Sequence, residues 1–138
     1  MHPIEEQLIL HEGLRTTVYR CPAGYLSIGV GRNLEKKGIS VEEALLLLRN
    51  DITEITSRLE VYDWFVSLDP IRQKVIIDMV FNLDISGFLA FRRMIAALQA
   101  GDYERAANEM ANSRWYRQVG QRGIRLERMM RTGKDYEV

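Results

Sequence analysis

Residues 10–32 constrain the fold most, because they change from a helical pattern to a strand pattern within a short distance. Gly13 is a helix-ending residue and leaves Glu12 in the last turn of an apolar helix, where the helix dipole disfavours a negative charge. The next residues alternate as a strand, and a proline and a glycine then form a turn that begins at Cys21. The return strand carries Ser27. We therefore predict a helix that ends in an acid, followed by a β-hairpin that carries a thiol and a hydroxyl.

Two glycines close this hairpin. Gly29 and Gly31 flank Val30, a pattern typical of a bend or of a backbone that a ligand approaches closely. We therefore predict a ligand-binding surface that includes Gly31.

The rest of the chain has the pattern of a series of helices. A capping box, in which Ser40 is followed three residues later by Glu43, predicts the start of a long helix of about twenty residues. Further helices are predicted over residues 71–83, after a cap and a proline at Asp69-Pro70, over 88–100 and 103–111, and over about 121–132, where Gly133 closes the helix. The helix over 71–83 is apolar on nearly every side after its first turn, which predicts a central, buried helix, and Asp78 inside it requires a partner. Strand patterns are confined to the front of the chain, so the predicted class is α+β with helices dominating.

Charge and cysteine content exclude several kinds of protein. Lysine plus arginine and aspartate plus glutamate number 19 each, so the net charge gives no reason to expect nucleic acid as a partner. One cysteine cannot form an internal disulfide, and with two histidines it is too few for a zinc site, so we expect no metal and no other cofactor. No apolar run approaches the eighteen or so residues that span a bilayer, and the first residues lack the basic region of a signal peptide. We expect a protein made in the cytosol, without stable membrane insertion.

Basic residues are concentrated near the end of the chain. Residues 114–134 contain seven of them and one acid, Glu127. This cationic end could be steered toward an acidic polymer, or it could be an ordinary solvated helix face with some arginines in structural pairs. The seven are Arg114, Arg117, Arg122, Arg125, Arg128, Arg131 and Lys134.

The acid, the thiol and the hydroxyl suit the hydrolysis of a glycosidic bond. A protonated carboxyl group such as that of Glu12 can donate to the leaving oxygen while a group on the opposite face positions or deprotonates water. The bare spacing also has ordinary explanations, with Cys21 as a small buried apolar residue and Ser27 as a polar strand position. A thiol hydrolase that pairs Cys21 with His11 is a further interpretation. The residues alone leave these alternatives open.

Short motifs occur in a fixed order along nearly the whole chain. They are HEGLR at 11–15, YLSIGVGR at 25–32, the capping box at Ser40 with Glu43-Ala44, DMVFN at 78–82, SRWY at 113–116 and RTG at 131–133. Together they resemble the phage endolysin lysozymes of the T-even type, glycoside hydrolase family 24. The resemblance implies one lysozyme-like domain over residues 1–138. A small hairpin lobe, about 13–39, would be joined by a long helix to a larger helical lobe, about 60–138, which also holds the N-terminal helix.

The resemblance assigns catalytic roles. Glu12 matches the acid of the family, Cys21 matches the second catalytic position in its thiol form, and Ser27 stands where threonine is usual. We expect Cys21 to activate water and Ser27 to orient it. A thiol near an ionised Glu12 is expected to be mostly protonated at neutral pH.

The resemblance also implies supporting and substrate-binding positions. Arg122 matches an arginine that packs against the catalytic glutamate. Phe81 and Asn82 match a helix segment that lines the cleft between the lobes, and with Gly31 they are the expected substrate-binding residues.

These observations predict a phage or prophage endolysin. It would hydrolyse the β-1,4 bond between N-acetylmuramic acid and N-acetylglucosamine in peptidoglycan, as a monomer. It would stay in the host cytoplasm until a holin permeabilises the membrane, and then act on the cell wall in the periplasm. One alternative is a lytic transglycosylase, which needs only the acid and forms 1,6-anhydro sugars. The other is a catalytically inactive wall-binding or tail-structural module, suggested by the absence of the Asp and Thr forms of the family motif.

Overall fold

A computed structural model of the chain describes residues 1–137. Helices hold 64% of the chain, and the strands form a three-stranded antiparallel sheet. The predicted α+β class, with helices dominating, is confirmed. The chain divides into two compact units, one of residues Met1–Leu47 and one from residue 48 onward.

Helix α1 (Pro3–Glu12) ends where the sequence predicts. His2 caps its first turn together with Glu5, whose carboxylate accepts a hydrogen bond from the His2 N–H at 2.8 Å. Gly13 follows with φ 78°, a conformation that favours glycine, and ends the helix. Glu12 is therefore the last helical residue.

The hairpin predicted after α1 is part of a sheet with the strand order β1-β2-β3. The strands are β1 (Arg15–Arg20), β2 (Leu26–Gly29) and β3 (Arg32–Asn33). The turn between β1 and β2 is the predicted one, because the Gly24 N–H donates to the Cys21 carbonyl at 2.8 Å. The sequence does not predict β3, because two residues are too few for an alternating pattern to show.

Helix α2 (Val41–Leu59) begins with the predicted capping box. The Ser40 hydroxyl accepts the Glu43 N–H at 3.1 Å, and the Glu43 carboxylate accepts the Ser40 N–H at 2.9 Å. The helix has 19 residues, so its predicted length is confirmed. It continues through the boundary between the two units, and Leu59 at its end is buried.

The unit from residue 48 onward contains the hydrophobic core. Helix α4 (Pro70–Leu89) supplies the centre of this core with Val75, Ile76 and Met79, so the predicted central helix is confirmed. The helices after α2 are α3 (Asp63–Val66), α4 (Pro70–Leu89), α5 (Arg92–Gln99), α6 (Tyr103–Ala111), α7 (Arg114–Val119) and α8 (Gln121–Thr132). Within residues 1–137, no helix combines the length and the apolarity that crossing a bilayer requires.

The boundary between α4 and α5 differs from the prediction. The helix predicted over 71–83 continues to Leu89, and the one predicted over 88–100 begins only at Arg92, so Phe88 belongs to α4. The continuation follows a kink at Asp84, where φ is 62° and ψ is 166°. This backbone conformation is almost restricted to glycine, and an aspartate gives no sequence signal for it.

The strain at Asp84 leads to a prediction about stability. Replacing Asp84 by Gly is expected to raise the free energy of unfolding by about 1 kcal/mol, because glycine adopts this φ without a steric cost. Urea denaturation measures the change. Asp84→Ala is the matched control, since it removes the same carboxylate but keeps a Cβ atom and should not stabilise the chain. Equal stability of the two variants would contradict strain at this position.

Arg72 of α4 fixes the end of α8. Its Nε donates to the Met130 carbonyl at 2.7 Å, and its guanidinium lies 4.0 Å from the centre of the Tyr103 ring. Gly133 ends α8 with φ 69°, as predicted, and a Cβ at this glycine would lie 2.9 Å from the Arg72 guanidinium. These contacts hold α8, which carries Arg122, against α4.

Candidate active site

Cys21 lies at the first turn of the sheet, directly after β1. Its N–H donates to the Tyr25 carbonyl at 2.9 Å, and its side chain is half-buried. Hydrogen bonding from the Tyr25 backbone is the main cause that lowers the pKa of the Cys21 thiol, while burial acts in the opposite direction. Hydrogen bonds from the Ala23 and Gly24 backbones and from the Ser27 hydroxyl lower it further. The turn therefore favours the thiolate.

Ser27 is the buried residue of this site, with 2% of its surface exposed. It lies opposite Tyr19 in the sheet, its hydroxyl donates to the Tyr25 carbonyl at 3.4 Å, and it is one of the groups that lower the pKa of Cys21. The structure thus brings Cys21 and Ser27 together. The expectation that the thiol is mostly protonated at neutral pH stays a prediction, and the groups that lower its pKa lie in the turn and on β2.

The carboxyl group of Glu12 lies against the second turn of the sheet, between β2 and β3. Gly31 in that turn has φ 68°, and a Cβ atom there would lie 2.9 Å from Oε2 and 3.2 Å from Cδ of Glu12. The structure therefore brings Glu12 and Gly31 into contact. The acid contacts the turn between β2 and β3, the thiol lies at the turn between β1 and β2, and the hydroxyl lies on β2, which connects these turns.

Arg122 and Asp78 form a charged pair in the unit from residue 48 onward. Nε of Arg122 lies 2.8 Å from Oδ1 of Asp78, and Nη2 lies 2.7 Å from the same oxygen. Arg122 is thus the partner that Asp78 requires. Both residues line a groove of about 720 Å³ with Phe81, a residue that is 45% exposed.

Asn82 has a different environment from its neighbour Phe81. Its Oδ1 accepts a hydrogen bond from the Trp115 indole N–H at 2.9 Å. Trp115 is buried, so this bond satisfies a donor that water cannot reach easily. Asn82 does not line the groove that contains Phe81.

The cationic end of the chain includes structural pairs. Arg131 pairs with Glu127 at 2.6 Å and also with Glu104, while Arg122 pairs with Asp78. The interpretation as a helix face with structural pairs is confirmed for these two arginines.

Most of the chain matches a known protein family. The family described as Phage lysozyme matches residues 10–131, a span that includes Glu12, Cys21, Ser27 and Arg122. The chain belongs to the phage lysozyme family. The predicted family, the lysozyme-like α+β fold and the enzyme class of a lysozyme hydrolase are thereby confirmed.

Relatives of this lysozyme include phage proteins and a eukaryotic protein. It is 34% identical to the protein named Endolysin of Acyrthosiphon pisum secondary endosymbiont phage 1, over 79% of this chain and 77% of that protein. It is 28% identical to Probable T4-type lysozyme 1 of Dictyostelium discoideum, over 94% of each chain. It is also 28% identical to Pre-baseplate central spike protein Gp5 of Enterobacteria phage T4, over 93% of this chain and 27% of that protein. The chain therefore spans about a quarter of the length of the spike protein.

The predicted site residues of the lysozyme lie in both units. Glu12, Cys21, Ser27 and Gly31 belong to Met1–Leu47, and Phe81, Asn82 and Arg122 belong to the unit from residue 48 onward. The packing of Arg122 against Glu12 concerns both units together and stays a prediction. The same holds for the division into a hairpin lobe and a helical lobe that includes the N-terminal helix.

Sequence reasoning missed Arg32, the first residue of β3. Its guanidinium donates to the Glu43 carboxylate at 2.8 Å and to the Gly38 carbonyl at 3.1 Å. The capping box identified Glu43 only as a helix cap, and nothing local links it to an arginine eleven residues earlier. This pair joins β3, and with it the turn at Gly31, to the first turn of α2.

The Arg32 pair makes the stability of the lysozyme depend on pH. The hydrogen bond from Arg32, aided by the N–H and hydroxyl of Ser40, lowers the pKa of Glu43 to about 2. An unfolded glutamate ionises near pH 4.3, so the stabilisation is present above about pH 4.3 and is lost as pH falls toward 2. The unfolding midpoint of the parent chain should therefore fall over this range.

The control variants isolate this carboxylate. In Glu43→Gln the unfolding midpoint should fall less steeply with decreasing pH, because the contribution of the Arg32–Glu43 pair is missing. Its midpoint should converge with that of the parent near pH 2. Glu42→Gln, one position earlier on α2, should keep the slope of the parent. An unchanged slope in Glu43→Gln would contradict the prediction.

Proposed function

We propose that this lysozyme is an N-acetylmuramidase that hydrolyses the β-1,4 bond between N-acetylmuramic acid and N-acetylglucosamine in peptidoglycan. Glu12 would be the general acid, Cys21 would activate water, and Ser27 would orient it. The observation that carries the proposal is the small sheet, because its first turn carries the thiol, β2 carries the hydroxyl, and its second turn contacts the carboxyl group. An acid and a group that activates water are the two functions that hydrolysis of a glycosidic bond requires.

The proposed reaction balances its protons. Glu12 donates a proton to the leaving glycosidic oxygen as the bond from that oxygen to the anomeric carbon breaks. Water adds to the anomeric carbon, and its proton passes to the thiolate of Cys21. The lowered pKa of Cys21 supports this role, because more of the thiol is then ionised at a given pH.

The second unit would supply substrate contacts. Phe81 supports this role most directly, since its exposed ring lines a groove and sugar rings pack well on aromatic faces. Arg122 lines the same groove, and we propose that it also supports Glu12. For Asn82 the proposal rests on the family resemblance, because its amide oxygen is occupied by Trp115.

As an endolysin, the lysozyme would accumulate in the host cytoplasm and reach the wall after a holin permeabilises the membrane. The similarity to the relative named Endolysin supports this proposed route to the cell wall. We propose a monomer, because the acid, the thiol and the hydroxyl all come from one chain.

Product analysis tests the reaction. Purified peptidoglycan is digested with the enzyme, and the soluble fragments are analysed by mass spectrometry after borohydride reduction. We expect fragments that end in reduced N-acetylmuramic acid. Fragments that end in 1,6-anhydro sugars would identify a transglycosylase, and reduced N-acetylglucosamine ends would identify cleavage of the other glycosidic bond.

The match to the spike protein favours a second candidate, a lysozyme-like module of a phage tail. The identity of 28% extends over 93% of this chain, so the whole fold has a counterpart within that longer protein. A pelleting assay with insoluble peptidoglycan separates the candidates. If the parent protein binds the wall without releasing fragments, the inactive module replaces the muramidase.

A further inference from the structure

We propose that Gly31 is a positioning residue for the catalytic acid, and that its bare backbone is the surface on which the Glu12 carboxyl group is held. This role goes beyond the expected contact of Gly31 with substrate. It rests on the proposed function of Glu12 as the general acid.

The contact involves the functional end of the Glu12 side chain. A Cβ atom built on Gly31 would lie 2.9 Å from Oε2, 3.2 Å from Cδ and 3.4 Å from Cγ of Glu12. Three consecutive side-chain atoms thus follow the backbone at Gly31 closely. Cβ atoms do not approach other atoms to 2.9 Å, so any residue with a side chain would displace the carboxyl group.

Two elements hold this contact from opposite sides. Glu12 is the last residue of α1, and Gly13 fixes the end of that helix with φ 78°. Gly31 lies directly before Arg32, which is paired with Glu43 at the start of α2. Both ends of the contact are therefore tied to helices, as precise placement of a catalytic group requires.

A nearby glycine separates the effect of the contact from the effect of backbone strain. Gly29 has φ 71°, close to the 68° of Gly31, and a Cβ atom at Gly29 would have no neighbour within 4 Å. Substitution by alanine strains the backbone at both positions, because both have a positive φ. Only the alanine at position 31 meets Glu12.

The displacement matters because proton donation depends on geometry. A general acid must lie within hydrogen-bonding reach of the leaving oxygen, and a shift of about 1 Å can cost about 100-fold in rate. The end of a glutamate side chain moves easily, so the fold should survive the change. We therefore expect Gly31→Ala to lower the maximal rate of wall hydrolysis about 10- to 100-fold. Gly29→Ala should lower the same maximal rate less than about threefold. The unfolding midpoint should fall by a similar amount in both variants.

Binding measurements distinguish positioning from substrate contact. Sacculus binding is compared for Glu12→Gln and for the double variant Glu12→Gln with Gly31→Ala, using insoluble peptidoglycan in a pelleting assay. If Gly31 acts through Glu12, the two variants bind equally and the apparent KM of Gly31→Ala stays near that of the parent. Weaker binding by the double variant would overturn the proposal in favour of a direct substrate contact.

The rate comparison gives the other decisive outcomes. Equal rates for Gly31→Ala and Gly29→Ala, with Glu12→Gln inactive, would overturn the positioning role and leave the proposed function intact. An active Glu12→Gln would overturn the proposed function itself, and this inference with it. A selective loss of maximal rate in Gly31→Ala, with unchanged binding in the Glu12→Gln background, is the expected result.

Discussion

Replacement of Glu12 by Gln is expected to lower the rate of peptidoglycan hydrolysis by about 10²- to 10⁴-fold, the range that a general acid contributes. Glutamine has nearly the shape of protonated glutamic acid, so its amide can take the same place against Gly31. It cannot supply a proton to the leaving oxygen. Turbidity loss of wall suspensions measures the rate, and the unfolding midpoint should change little because Glu12 is exposed.

Glu6→Gln is the matched control for this experiment. Glu6 belongs to the same helix and is also exposed, but it lies in the first turn, whereas Glu12 is the last residue of the helix. Its replacement should leave the rate within about twofold of the parent, since surface changes rarely disturb a distant site. Full activity of Glu12→Gln would show that no proton from this residue takes part in the reaction.

The ends of most elements could be predicted because the signals are local. The Ser40 capping box, the cap and proline at Asp69-Pro70 and the closing Gly133 each act within one turn of their own helix. The turn at Cys21 is equally local, since proline and glycine restrict only their own backbone. These residues determine where the elements begin and end, and from that the α+β class follows.

Other features depend on contacts that no short window contains. The two-residue strand β3 forms only because β2 is already in place to pair with it. Asp84 adopts a backbone conformation that its residue type disfavours, and packing of α4 on both sides of the kink is needed to hold it there. Such features oppose local preference, so the sequence pattern cannot indicate them.

In the candidate site, too, some features follow from local sequence signals and others depend on distant contacts. The register of the hairpin places Ser27 near Cys21, which the predicted strands already suggest. The contact between Glu12 and Gly31 joins a helix end to a turn 19 residues later. The sequence indicated only an acid in the last turn of a helix and a glycine at a bend, and nothing in it linked the two residues. The shift in the pKa of Cys21 also escaped prediction, because backbone N–H groups cause most of it and they have no residue signature.

Replacement of Cys21 by Ala is expected to lower activity about 100-fold, while Cys21→Asp should stay within about tenfold of the parent. Alanine removes the group that would accept the proton from water. Aspartate restores an acceptor at the second catalytic position that the family resemblance implies. Each variant is assayed on wall suspensions, with circular dichroism to confirm that the sheet and the helices are retained.

The pH dependence identifies the thiol as the acceptor. The ordinary pKa of a cysteine is about 8.5, and that of Cys21 is lowered by the Tyr25 backbone and its neighbours, so ionisation and activity of the parent should rise together at pH values below about 8.5. Aspartate ionises near pH 4, so the Cys21→Asp variant should show no such rise above about pH 6. Iodoacetamide should inactivate the parent and spare Cys21→Asp. Full activity of the alkylated parent, or of Cys21→Ala, would show that the sulfur is a passive part of the turn.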